Sequence, residues 1–590
     1  MDKNSVVAFV LILLVLFMMP FYYKIFSPPP EPSVADSSAV VADSAKSSSP
    51  ETIAQKTAPL KESPSSSSPE IQTKQTAPAR QEPSYSAADV DTFVIETEDY
   101  WTTITNVGGG TFQSVKLKKY LGPNQEPYVE LIPENEKNVL AFEAIGFEGD
   151  TINYANKLFQ SQPPEDTNSL DTLVIQKRET FTFRYSAPNG GTIVRSLTFY
   201  PRQYQIGLKV TLQHFQDEIA NRQYQVAWNS GLAITENNIQ DDLTYSKAYG
   251  LLGDELIDID AGKAKPGSPV KQTMEGTTKW VAVRNKYFAA IITPVTRNAI
   301  GTDLAGTRKA DDALALKRYR ASVVMPYTES ATQQDSFIVY IGPLDYSILK
   351  SYNRDFQRMM NFGWKIIRPI SKAVLWAFTH IHKYIPNYGW VLILFGIAVK
   401  ILVFPLTKKS YVSMKEMQVL GPKVQELKEK YKDDSQKMNQ EMMKIYKEHG
   451  VNPMGGCLPM VIQMPLLYAL FIVFRTTIEL RNAGFVWWIK DLSQPDTIFT
   501  LPFSLPLYGS HVNVLPIIMG ITMIIQQQMT TSAASQQQKM MTWLMPIIFL
   551  LIFNNFPSGL NLYYALFNIM TIVQQKWFID VPTAPQPVKS

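Results

Sequence analysis

The stretch Gly389-Trp-Val-Leu-Ile-Leu-Phe-Gly-Ile-Ala-Val-Lys400-Ile-Leu-Val-Phe-Pro-Leu406 holds eighteen residues and a single charge. That length and apolarity predict a membrane-spanning helix, since about 20 apolar residues rising ~1.5 Å each cross a hydrocarbon core. Lys400 then stands out. A cation at mid-membrane costs about 2.5 to 3.5 kcal/mol on insertion scales, so such residues face water or protein. Read alone, Lys400 also has a plainer explanation, in which its flexible stem snorkels towards the headgroups beyond Thr407.

Four more apolar segments follow, at residues 457–478, 514–528, 541–556 and 559–575, and one precedes them at 5–23. The last two segments are contiguous enough to be one, but a helix of over thirty residues would exceed about 45 Å against a core of about 30 Å. Asn554-Asn-Phe-Pro-Ser-Gly559 is therefore expected to turn the chain. The loop 408–456 holds ten lysines, whereas 479–513 holds only Arg481 and Lys490. The positive-inside rule puts the lysine-rich loop in the cytoplasm, which leaves both termini inside as well.

The first apolar run ends in bulky Met18-Met19-Pro20-Phe21-Tyr22-Tyr23, which favours a retained signal-anchor over a cleaved signal peptide. Residues 27–90 are rich in Pro, Ser, Ala and Thr and nearly free of aromatics, the composition of a flexible tether. Beyond them the texture changes to short β-branched and aromatic runs, such as Thr180-Phe-Thr-Phe-Arg-Tyr and Ile206-Gly-Leu-Lys-Val-Thr-Leu. Pro188-Asn-Gly-Gly191 is placed as a hairpin turn. A large antiparallel β-sandwich on the outer side is expected, serving for binding or spacing, with sugar chemistry as the alternative. Ile367, Ile370, Val374, Phe378 and Ile381 then recur at helical spacing, with Trp364 and Trp376 nearby. They predict an amphipathic helix in the membrane interface, or one packed on the β-domain.

The net charge of +4 and the lack of basic runs interleaved with aromatics argue against nucleic acid as a partner. A single cysteine, Cys457, and five scattered histidines offer no metal-ligand spacing, and there is no phosphate-binding loop. Catalytic residues, metals and cofactors are not expected. The cytoplasmic loop reads as two helices, 411–431 and 435–449. Fifteen of the chain's twenty-two methionines lie from Met414 onward. Met414, Met417, Met438 and Met442 are candidates for an adaptable client or partner surface, although thioethers also fill cores. Within the spans, Gln463, Asn554, Asn555, Asn568, Gln574 and Gln575 are polar, and acidic residues are absent. Arg475 is expected to pair with Glu479 one turn on. An anion transporter built on Lys400 is a competing reading, but the internal repeat that such folds show is missing.

Several motifs resemble the YidC/Oxa/Alb family of membrane protein insertases. They are the intramembrane cation followed by Phe404-Pro-Leu-Thr407, Val451-Asn-Pro-Met-Gly-Gly-Cys-Leu-Pro459, Gln463-Met-Pro465, Phe556-Pro-Ser-Gly-Leu-Asn-Leu-Tyr-Tyr564 and Gln574-Gln575. The resemblance implies a polytopic α-helical membrane protein of six spans, five forming the insertase core, plus a periplasmic all-β sandwich. The expected divisions are a signal-anchor at 1–24, a linker at 25–90, the sandwich at 91–345 and an interfacial helix at 346–388. The core follows at 389–580, with a cytoplasmic hairpin at 408–456, and then a tail at 581–590. The resemblance also implies a hydrophilic groove, open to cytoplasm and lipid, lined by Lys400, Thr407, Gln463, Asn555 and Tyr564. Nascent membrane proteins, the Sec translocon, the ribosome and the lipid bilayer of the bacterial inner membrane are the implied partners. Two positions depart from the family pattern. Lysine stands where arginine is usual, which loses the bidentate fork, and Gly396 stands where threonine is common.

Overall fold

The computed structural model describes residues 85–579, apart from 147–150, 165–171, 189, 309–315, 329, 433, 452–457, 506–507 and 531–535. The signal-anchor at 1–24, nearly all of the linker, Cys457 and the tail at 581–590 lie outside the described residues.

The β-domain is a sandwich. Thr92–Glu96, Tyr100–Thr105, Thr111–Leu117 and Val129–Glu130 form an antiparallel run, and Thr172–Val174 joins its edge in parallel. A fourteen-stranded sheet faces it. Alternation drives the packing: along Gln205–Gln213, Ile206, Leu208, Val210 and Leu212 are buried while their neighbours are not. Ile95, Ile104 and Phe112 of the small sheet share one core with Phe183, Leu197 and Ile291 of the large one. The turn after Ser186 pairs that residue with Thr192.

The helical region comprises α1 (Ile239–Tyr245) and α2 (Tyr346–Ser351) on the β-domain, then α3 (Ile367–His382) and α4 (Tyr388–Val419). It continues with α5 (Gly421–Lys430), α6 (Ser435–Glu448), α7 (Leu458–Thr476), α8 (Val514–Thr530), α9 (Gln536–Phe553) and α10 (Ser558–Trp577). Among the described residues α4 is the one helix long and apolar enough by itself to cross a membrane; the apolar stretches of α7, α8 and α9 are shorter. α10 lies against α4, α7 and α8. A turn at 554–557 separates α9 from α10. Gly559, at the start of α10, lets Phe474 pack on its backbone, where a Cβ would sit 2.2 Å from that ring.

Two features differ from expectation, and the packing of α3 bears on the two placements left open for it. The helix expected over 411–431 is divided, because α4 runs unbroken into the lysine-rich segment as far as Val419 and α5 restarts at Gly421-Pro422. The apolar stripe of α3 is covered by protein: Phe378 meets Phe395 and Phe474 edge-on at 5.0 and 5.7 Å, and Leu375 joins the β-domain core. Trp364 and Trp376 face outward, 61 and 62 % exposed. The loop between α7 and α8 contains a β-hairpin, Thr497–Leu505 with Gly509–Asn513, that the sequence reading did not anticipate.

Candidate functional site

α4 starts where the Asn387 side chain accepts from the amides of Gly389 and Trp390 at 2.9 and 3.3 Å. Pro405 removes one helical donor, and two residues later Thr407 turns its hydroxyl onto the carbonyls of Val403 and Phe404, at 3.1 and 3.2 Å. Lys400 and Thr407 are both buried and, two turns apart, share a face.

Lys400 does not snorkel. Its Nζ donates to Thr571 Oγ1 of α10 at 2.6 Å and lies 3.8 Å from the centroid of the Phe567 ring, with Tyr411 at 5.8 Å. The residue is 5 % exposed. Its partners are a hydroxyl and aromatic faces, which stabilise an ammonium without neutralising it. No carboxylate among the described residues pairs with it.

α10 presents a buried polar stripe, Asn561, Asn568, Thr571 and Gln575, at helical spacing. It makes a polar bond to each helix it packs on. Thr571 takes Lys400 of α4, Tyr563 Oη accepts from Gln463 Nε2 of α7 at 2.9 Å, and Asn568 Nδ2 donates to Thr522 Oγ1 of α8 at 3.3 Å. Close approach of α4 and α10 depends on Gly396, whose Cβ would lie 3.0 Å from Leu566 Cδ2.

The five expected groove residues are therefore only partly gathered. Lys400 and Gln463 bond to α10 eight residues apart, about 12 Å along its axis. Tyr564 is half-buried, with its ring edge-on to Phe553 at 5.4 Å and to Tyr563 at 5.9 Å. Asn555 does not join them: it is exposed at the turn after α9, where its Nδ2 reaches Tyr508 O at 3.4 Å. Thr571, Phe567 and Tyr563 were missed, although Thr571 lies one helical step beyond Asn568. Of the expected methionine surface, Met414 and Met417 belong to α4 and Met438 and Met442 to α6; all four are half-buried, while Met443 is 53 % exposed.

The β-domain is fastened to the end of α7. Arg475 Nη2 donates to Asp241 Oδ1 at 2.5 Å, and Lys286 Nζ reaches the other oxygen of that carboxylate at 2.7 Å. Arg481 Nε donates to Glu236 Oε1 at 2.7 Å. Arg475 thus reaches a carboxylate of the other domain, where pairing with Glu479 of its own segment was expected.

Two family models match this chain in tandem, the YidC periplasmic domain over residues 92–377 and the 60Kd inner membrane protein over 380–584. A membrane protein insertase YidC of Chlorobium luteolum is 38 % identical over 82 % of this chain and 82 % of its own. The chain belongs to the YidC membrane protein insertase family. A YidC insertase of Chlorobaculum parvum is 35 % identical over 98 % of this chain and 94 % of its own length. A crystal structure of an active YidC insertase with its first transmembrane domain resolved covers 82 % of this chain and 92 % of that chain, at 18 % identity and a TM-score of 0.34. The buried cation, the polar stripe and the fastened sandwich thus belong to an insertase of the inner membrane, which acts on membrane proteins and is not an enzyme.

Proposed function

We propose that this insertase moves the polar flank of a nascent membrane protein along the seam between α4 and α10, with Lys400 as a transient counter-charge. The observation that carries this reading is the buried Lys400 amine held, among the described residues, only by neutral partners. An acidic residue in the client's flank supplies the missing charge, which offsets the desolvation of both groups. Because Lys400 is covered by Phe567 and Tyr411, the seam opens towards cytoplasm and lipid to admit the flank, by displacement of those rings or parting of α4 from α10. Release of the client's apolar segment into lipid drives the step, at roughly 25 cal/mol per Å².

Six spans, cytoplasmic termini and a periplasmic sandwich complete this reading. Thr407, Gln463 and Tyr564 border the seam, and Asn555 marks its outer end. Clients dock first on the cytoplasmic hairpin, where Met414, Met417, Met438 and Met442, with the exposed Met443, adapt to varied apolar segments. The ribosome delivers them there, and the Sec translocon shares the longer clients. Photo-crosslinkers at positions 400 and 438 test this with ribosome-bound nascent chains carrying an acidic flank. Adducts are expected at both positions. Adducts at 438 with none at 400 would exclude the seam as the route.

A further inference from the structure

The hairpin Thr497–Leu505/Gly509–Asn513 carries no Asp, Glu, Lys or Arg, and its strands hold one titratable side chain, His511. Ile498, Phe499, Phe503 and Leu505 are 57, 58, 58 and 43 % exposed. Every residue of Thr497–Leu505 except the half-buried Leu501 is exposed, so neither face of this strand is covered by protein. An isolated two-stranded hairpin is marginal in water, and a charge-free apolar one is an aggregation hazard. A protein partner docking on one face would leave the other in water. A lipid phase covers both.

The second strand is held from the tip of the hairpin at Tyr508 to its root at Asn513. Asn554 Nδ2 donates to the carbonyls of Tyr508 and His511 at 2.9 and 2.6 Å, and Asn513 Nδ2 donates to Asn554 O and, at 3.1 Å, to Asn554 Oδ1. These bonds tie it to the turn between α9 and α10, and α8 begins directly at Val514. Asp496, just before the first strand, accepts from Trp488 Nε1 and from the Val514 and Leu515 amides at 3.0, 3.0 and 2.8 Å. Trp487, 87 % exposed, stacks beside Trp488 at 5.7 Å, an aromatic pair suited to the headgroup zone. Depth follows from the backbone. The strand register shifts twice, between Thr497 and Phe499 and between Thr500 and Leu505, leaving gaps in the ladder that hydrocarbon would penalise and headgroups can satisfy.

We propose that this hairpin lies in the outer leaflet of the bilayer, at the boundary between phospholipid headgroups and acyl chains, as a membrane-seated wedge beside the turn between α9 and α10. The proposal rests on the reading that the helical region spans the membrane. Its test keeps the two apart. In a Cys457→Ser background the full chain carries one nitroxide, through Ile498→Cys, Phe503→Cys or, as a reference on the outward face of α4, Leu402→Cys. Each protein is reconstituted into phosphatidylethanolamine/phosphatidylglycerol vesicles, and collision with oxygen is compared with collision with a water-soluble nickel chelate. The expected result is an oxygen preference at 498 and 503 that approaches the one at 402. Nickel contact at 498 or 503, with 402 still shielded, overturns the wedge and leaves the span standing. Shielding of either hairpin position from both reagents also overturns it, because protein then covers that face. Nickel contact at 402 overturns the span itself, and the wedge with it.

Discussion

Lys400 Nζ donates to Thr571 Oγ1 at 2.6 Å, and Thr571 in turn donates to the Phe567 carbonyl at 2.7 Å. The Lys400 amine is thereby oriented inside the bundle, with no carboxylate among the described residues paired to it. Replacing Thr571 with valine preserves shape but leaves the buried Lys400 donor unmet, which costs about 1–3 kcal/mol. Thr571→Val is expected to lower the unfolding midpoint in detergent and to slow insertion of acid-flanked clients. Thr571→Ser is expected to restore both.

Asp241 gives the β-domain latch its pH behaviour. Burial alone would raise its carboxyl, yet Lys286 and Arg475 hold it down at about 2. A depressed carboxylate contributes stability above its unfolded value that is lost as pH falls through the folded one. The contribution should therefore persist from neutral pH down to about 4 and disappear towards pH 2. Asp241→Asn is expected to cost about 2 kcal/mol at pH 7, read from unfolding midpoints.

Glu236 has the opposite sign although it also meets an arginine. Burial raises its carboxyl despite Arg481. Folding raises this carboxyl above its unfolded value, so the part of its contribution that is linked to protonation grows as pH falls, the reverse of Asp241. Glu236→Gln strips the buried Arg481 guanidinium of its carboxylate and is expected to lower the unfolding midpoint at pH 7; an unchanged midpoint would contradict the pairing.

Glu479 lies just past α7, where burial and the neighbouring Asp345 push its carboxyl up to about 8. Its stabilising neutral form is fully present below the unfolded value near ~4.3 and is lost as pH rises towards the folded one. Glu479→Gln is expected to flatten the decline of the unfolding midpoint between about pH 4 and about 8.

Gly396→Thr would restore the residue common in the family, but here its Cβ meets Leu566 at 3.0 Å. Over-packing of this kind costs about 1–3 kcal/mol. The variant is expected to lower the unfolding midpoint, and Leu566→Ala in the same chain to recover part of the loss.

Lys400 was legible in the sequence because one charge interrupts an apolar run, and the alternating strands were legible because period-two burial writes itself into composition. Its acceptor was not. Thr571 lies 171 residues away, and a threonine in an apolar helix carries no signal of its own. The latch was hidden for the same reason, since Arg475 has a nearer acid in Glu479 and only the fold brings up Asp241, 234 residues earlier. Asn555 was grouped with the expected groove residues as one of several polar side chains in apolar spans, whereas the turn after α9 leaves it exposed beside Tyr508. The hairpin between α7 and α8 lacks the regular alternation that marks a strand, and Pro502 and Pro506 further mask it.

The most direct measurement compares the native chain with Lys400→Ala and Lys400→Arg, each reconstituted alone into proteoliposomes. A single-span client is supplied with either an acidic or a neutral translocated flank. The account predicts that Lys400→Ala slows insertion of the acidic client selectively, while Lys400→Arg stays close to the native rate. Equal rates for all three proteins with the acidic client would contradict it.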